Sequence, residues 1–98
     1  MIRGGYVYIM ANLKNTATYV GVTADLLLRV QQHKEKTNPN SHSAKYNITK
    51  LVYYRGFQHI EEAIAEEKRI KGLTRKKKFL LVSSMNPEWK ELTDEVIV

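Results

Sequence analysis

The sequence predicts an α+β domain in the order β-β-α-β-α-α, a small three-stranded antiparallel sheet flanked by helices. Three observations lead there. Two runs rich in aromatic and β-branched residues, Tyr6-Val7-Tyr8-Ile9-Met10-Ala11 and Thr16-Ala17-Thr18-Tyr19-Val20-Gly21-Val22, are separated by the turn-forming Asn12-Leu13-Lys14-Asn15. This is the pattern of a β-hairpin. Further on, apolar residues recur at three- and four-residue steps, which is helical spacing. The 98 residues suffice for one core and leave no room for a second domain.

The elements follow in order. With Leu13 and Lys14 at the turn centre, Tyr8 falls directly across from Tyr19, and both phenols point to one side of the sheet. Thr23 or Asp25 caps a helix over residues 25–36, in which Leu26, Leu27 and Val30 form the apolar stripe. The polar segment Thr37-Asn38-Pro39-Asn40-Ser41 reads as a loop. Leu51-Val52-Tyr53-Tyr54 is a third strand added to the hairpin and ended by Gly56. A helix over 60–71 follows, with Gly72 as its C-cap; Thr74 caps another that runs to about residue 84 and is closed by Asn86-Pro87. No repeat or linker interrupts the chain. One domain is expected over 1–89, followed by a short acidic C-terminal tail over 90–98.

Composition narrows the chemistry. The chain has no cysteine, which excludes thiol catalysis, disulfides and thiolate zinc sites, and suits a reducing, cytoplasmic location. No stretch approaches the roughly 20 apolar residues of a membrane span, and the N-terminus lacks the apolar segment of a secretory signal. Sixteen Lys and Arg against ten Asp and Glu give a net charge of +6. Between residues 46 and 84, nine bases (Lys50, Arg55, Lys68, Arg69, Lys71 and the four at 75–78) face Glu61, Glu62, Glu66 and Glu67. A basic surface with interleaved aromatics suits a polyanion such as nucleic acid, although charge alone is weak evidence for one. There is no Gly-rich phosphate loop, HExxH helix or GxSxG elbow. His42 and His59 are isolated in sequence and read as surface histidines.

Several residues break the structural pattern. Arg29 and His33, one helical turn apart, share a face beside the Leu26 and Val30 stripe. By spacing alone they read first as an exposed basic pair. The apolar positions Ile60, Ala63 and Ile64 step onto Glu67, placing a carboxylate where the core stripe should continue. A salt bridge to a base such as Lys71 accounts for that, as does a hard divalent cation. The run Arg75-Lys76-Lys77-Lys78 occupies the first turns of a helix, where the macrodipole disfavours cations by only tenths of a kcal/mol. A solvated face is its simplest reading.

These residues together resemble the GIY-YIG nuclease superfamily, specifically its short stand-alone bacterial members. Tyr6-Val7-Tyr8 stands where that family has GIY, with Tyr6 in place of the glycine, and Tyr19-Val20-Gly21 stands for YIG. Arg29 matches the family's arginine, and His33 the histidine that often follows it. Ala63 through Lys71, with Glu67-Lys68 and Ile70-Lys71, resembles the metal-binding helix; Asn86-Pro87-Glu88-Trp89 resembles the C-terminal motif. The likeness covers about residues 5–89. Val22 departs from the lysine that excision-repair relatives carry after YIG.

The resemblance implies the GIY-YIG fold and a divalent-metal-dependent endonuclease, acting on DNA more than RNA with structure preference or low sequence specificity. The catalytic residues it implies are Tyr8, Tyr19, Arg29, His33 and Glu67, expected on one concave surface. Glu67 would hold Mg²⁺ or Mn²⁺, and Arg29 would clamp a non-bridging phosphate oxygen. Tyr8 or Tyr19, with His33 nearby, would position or deprotonate water, which requires the metal or Arg29 to lower a tyrosine pKa. Arg69, Lys71, Arg75, Lys76, Lys77 and Lys78 would contact phosphates without reading bases. Tyr6 is a mild departure if it faces away from the site. The first alternative is a catalytically weak nucleic-acid-binding module on the same fold. The second is a structural or interaction domain, and neither a membrane nor an obligate protein partner is implied.

Overall fold

The computed structural model describes residues 4–36 and 41–97; residues 37–40 of the predicted loop over 37–41 and the His42 side chain lie outside the described residues. Three strands, β1 (Gly5–Ala11), β2 (Thr18–Thr23) and β3 (Lys50–Phe57), form one antiparallel sheet in the order β2-β1-β3. The helices are α1 (Leu26–Glu35), α2 (His42–Lys45), α3 (Ile60–Lys71), α4 (Arg75–Met85) and α5 (Thr93–Ile97). The α+β class and the six main elements are as predicted. The short α2 and α5 are additions, and Gly56 lies inside β3 rather than ending it.

The hairpin register differs from expectation. Tyr8 pairs with Gly21 and Tyr19 with Met10, so the two tyrosines are diagonal neighbours. The cause is the loop. Asn15 takes the left-handed conformation (φ 58°), and the Asn12 side-chain oxygen accepts from the main-chain N–H groups of Thr16 and Ala17 at 2.8 and 3.0 Å. Both features favour asparagine, and they move the turn centre one residue along. A register change of two leaves both tyrosines on the face predicted for them.

A bulge between Ile9 and Met10 in the β1–β3 pairing puts consecutive residues Val52 and Tyr53 into the same core layer, as an extra residue in a strand does. That layer holds Val7, Ile9, Ala11, Val20, Ile70 of α3, Val82 of α4 and Trp89. The opposite layer holds Tyr8, Met10, Leu51, Leu26 and Val30 of α1, and Leu92. The sheet is thus covered by α3 and α4 on one side and by α1 and α5 on the other.

Caps fix the helix starts. Asp25 accepts from Leu28 N–H at 3.1 Å, while the Thr23 hydroxyl accepts from Asp25 N–H. Thr74 accepts from Lys77 N–H at 3.2 Å. His59, read from sequence as an isolated surface histidine, is the N-cap of α3, its N–H donating to Glu62 at 3.2 Å. Gly72 is the C-cap, at φ −81°. The acidic segment after residue 89 is anchored: Leu92 is buried, its N–H donates to the Leu51 carbonyl at 2.8 Å, and Glu91 accepts from Leu51 N–H and from Lys34.

Candidate active site

The Tyr8 side chain is fully buried, and the empty Cα of Gly21 is what admits it. A Cβ at Gly21 would stand 2.4 Å from the Tyr8 phenol oxygen and 2.5 Å from Cζ, far inside contact distance. The phenol therefore lies across the β2 backbone opposite its strand partner, and glycine is required there for close approach rather than for a turn. The correct register exposes this requirement; the expected one hid it. Gly21→Ala is expected to destabilise the domain by about 1–3 kcal/mol through overpacking and to displace Tyr8 from His33. A lowered denaturation midpoint with a shifted His33 ring resonance would record both effects.

The Tyr8 oxygen lies 3.0 Å from His33 Nε2. Tyr19 completes the group, its ring centroid 6.2 Å from Tyr8 and 5.0 Å from His33. Burial pushes the Tyr8 phenol far above its ordinary range; Tyr19 adds to this, Arg29 opposes it by charge and a hydrogen bond, and the Glu67 carboxylate raises it further. Burial lowers His33 below its ordinary value, and the Arg29 charge lowers it again. The expected lowering of this tyrosine by Arg29 is therefore outweighed. Both shifts favour the neutral pair, and in the tautomer that carries its proton on Nδ1 the Tyr8 hydroxyl donates to His33 Nε2.

Glu67 comes from the other layer. Ala63 and Ile70 of its helix are buried, with Ile70 in the layer of Val7 and Ile9, and the helix contacts β1 and β2. The carboxylate is 16% exposed and pairs through Oε2 with Lys71 at 3.2 Å. It meets the tyrosine group through its charge on Tyr8. The other four predicted residues are thus brought within reach of Tyr8, but from both faces of the sheet rather than from one wall. Tyr6 packs against the same layer as Tyr8, so it does not face away.

Among the described residues no three His, Asp or Glu side chains gather as a metal cage. A single hard carboxylate still fits Mg²⁺, which commonly takes one or two carboxylates and keeps its waters. Glu67 Oε1, the oxygen not engaged by Lys71, is the available donor.

The predicted phosphate contacts divide into two sets. Arg69 is bound at both nitrogens to Glu66, at 2.7 Å each, and Lys71 is paired with Glu67. These i,i+3 and i,i+4 ion pairs occupy the two α3 cations predicted to contact phosphate. Arg75 donates to the Thr16 carbonyl at 2.7 Å, which gives a cation at a helix N-terminus a structural task. Lys76 and Lys77 are exposed.

A family model described as the GIY-YIG catalytic domain matches residues 4–79. The chain belongs to the GIY-YIG family. The family's members are nucleases, typically using divalent metal ions. A UPF0213 protein of Clostridium perfringens (strain 13 / Type A) is 39% identical over 83 residues, covering 81% of this chain and 83% of that protein. The solution NMR structure of a UPF0213 protein from Bacillus halodurans superposes with a TM-score of 0.58 at 29% identity, covering 92% of this chain and 94% of the other. This GIY-YIG chain therefore groups with short, single-domain bacterial members, and it shares their three-stranded sheet with flanking helices. Among the described residues no helix is long and apolar enough to cross a membrane.

Proposed function

We propose that this GIY-YIG domain is a cytoplasmic endonuclease that hydrolyses nucleic-acid phosphodiesters, DNA in preference to RNA, using Mg²⁺ or Mn²⁺ held by Glu67. The observation that carries the reading is the Tyr8–His33 hydrogen bond beside Tyr19, with Arg29 on the same phenol. Water held at the tyrosines gives its proton to the phenol oxygen as Tyr8 passes its own to His33 Nε2. The water oxygen then bonds phosphorus as the bond to the leaving oxygen breaks. Arg29 stabilises charge on a non-bridging oxygen. When bound, the cation supplies Lewis-acid polarisation of the phosphate and stabilises the leaving group.

The test is a panel of labelled single-stranded, duplex, flap and branched substrates with Mg²⁺, Mn²⁺ or chelator. Cleavage that needs the metal and varies more with structure than with sequence is expected; salt-sensitive binding with no cleavage would leave the binding-module alternative standing. The pH profile tests the base. His33 must be neutral, so cleavage should fall as pH drops through its lowered value, below the ordinary 6.5, and level off above it. A rate climbing steadily to alkaline pH would assign the base to a tyrosine instead.

Exposed Lys76 and Lys77 are the cations best placed for phosphate contact. Replacing both with alanine should reduce the slope of log affinity against log salt by about two on duplex DNA. Arg69→Ala should change it little, its guanidinium being held by Glu66. An unchanged slope in the double variant would remove α4 from the interface.

A further inference from the structure

On the face of the sheet away from Tyr8, a groove opens between the hairpin loop and α4, lined among others by Asn15, Thr16, Arg75, Lys78, Phe79 and Trp89. We propose that this groove is a second nucleic-acid site, which holds one nucleotide of a single strand with its base against Phe79 and its phosphate against Arg75 and Lys78. The inference rests on the nucleic-acid reading above and adds a base-holding site to it.

Four features converge on the groove. Its lining contains two cations and no acid, so an anion is the natural complement. Phe79 is half exposed, and its ring is backed by Trp89 at 5.2 Å with 29° between planes. Such a backed ring is a platform on which any base can stack. The indole is fixed in turn, its Nε1–H donating to Ser83 Oγ at 3.2 Å.

Asn15 (58°) and Trp89 (54°), both with positive φ, line this one groove. The Asn15 conformation is that of the hairpin turn, whereas a bulky residue such as Trp89 is held there only where the surroundings impose it. For Trp89 the surroundings are Asn86, whose carbonyl accepts from Trp89 N–H at 2.9 Å and whose buried amide binds Val52 and Lys90. Finally, Asn15 Oδ1 is the buried side-chain polar atom without a hydrogen-bond partner among the described residues. The atom is closed to solvent, so a donor such as a base amino group reaches it only when the Asn15 amide turns into the groove.

The groove also stands next to the tyrosine group. Thr18 lines it, while Tyr19, the following residue on the edge strand β2, faces the other layer. A single strand passing around that edge meets both surfaces in turn.

The test uses the full chain and three probes: a short single-stranded DNA, the same length of abasic backbone, and adenosine monophosphate. Phe79→Ala should weaken binding of the base-bearing strand on the order of tenfold and leave the abasic strand unchanged. Phe79→Leu, which keeps an apolar side chain over Trp89, should show the same selective loss if folding of the alanine variant is impaired. The base-bearing strand should shift the Trp89 indole N–H resonance, with adenosine monophosphate doing so only at far higher concentration. Equal losses on both strands, or an unmoved Trp89 signal, would overturn the proposal, and adenosine monophosphate binding as tightly as the strand would make this a free-nucleotide site. Cleavage is measured separately. A selective Phe79 effect without cleavage upholds the groove and refutes the nuclease reading; cleavage without the Phe79 effect does the reverse.

Discussion

Glu67→Gln is expected to give a folded domain that still binds nucleic acid but cleaves it about a hundredfold more slowly or worse, since the lost cation accounts for several kcal/mol of transition-state stabilisation. The glutamine keeps the volume of a side chain that is 16% exposed. The freed Lys71 is 54% exposed and returns to water, and a partly exposed pair of this kind contributes about 0–1 kcal/mol. Binding should be equal or tighter, because a negative charge facing phosphate is gone. Thermal denaturation, a binding isotherm and a time course on one preparation separate the outcomes. Normal cleavage would place the cation elsewhere, and unfolding would make Glu67 a structural partner of Lys71. The measurement has particular weight because α3 approaches Tyr8 from the far side of the sheet.

Arg29→Ala should cost about 10²–10³ in cleavage rate, the usual loss when one donor to the developing oxyanion is removed. A second readout is independent of catalysis. The Arg29 charge helps hold His33 below its ordinary value, so its removal should move the His33 titration upward, followed by the ring-proton resonances. The sign is fixed: a neighbouring cation disfavours the imidazolium. Because Arg29 is exposed, the fold should persist. A titration that stays in place, with cleavage intact, would reduce Arg29 to a solvated surface residue.

What the sequence made legible was set by periodicity. Alternation in β1 and β2 put Tyr8 and Tyr19 on one face, and the α3 and α4 boundaries followed from caps at Gly72 and Thr74. Register was not legible. It depended on Asn12 closing a loop with its own side chain and on Asn15 turning left-handed, which a two-residue turn does not anticipate. The requirement for Gly21 beneath Tyr8 went unseen for the same reason. The Glu67–Lys71 pair, one of the two sequence readings of Glu67, is present, and the pair of Arg69 could have been read likewise, since Glu66 stands three residues before it. The direction of the Tyr8 shift could not, because burial is a tertiary property. Leu92 and Val96, one helical step apart in an acidic segment, share the Tyr8 layer, but two apolar residues are too short a pattern to mark a place in the core.

The anchoring of that segment bears on when the site comes into being. A chain leaves the ribosome N-terminus first, and its domains fold as their parts become available. Tyr8 is made early, yet the layer in which it lies is completed by Leu92, and the Leu51 main chain finds its partners in Glu91 and Leu92. Until Glu91 and Leu92 have emerged, the nascent protein thus carries its tyrosines and Arg29 without the packed surroundings that set their proton affinities. Maturation of the tyrosine-bearing face waits for Leu92, a residue far from the chemistry in sequence.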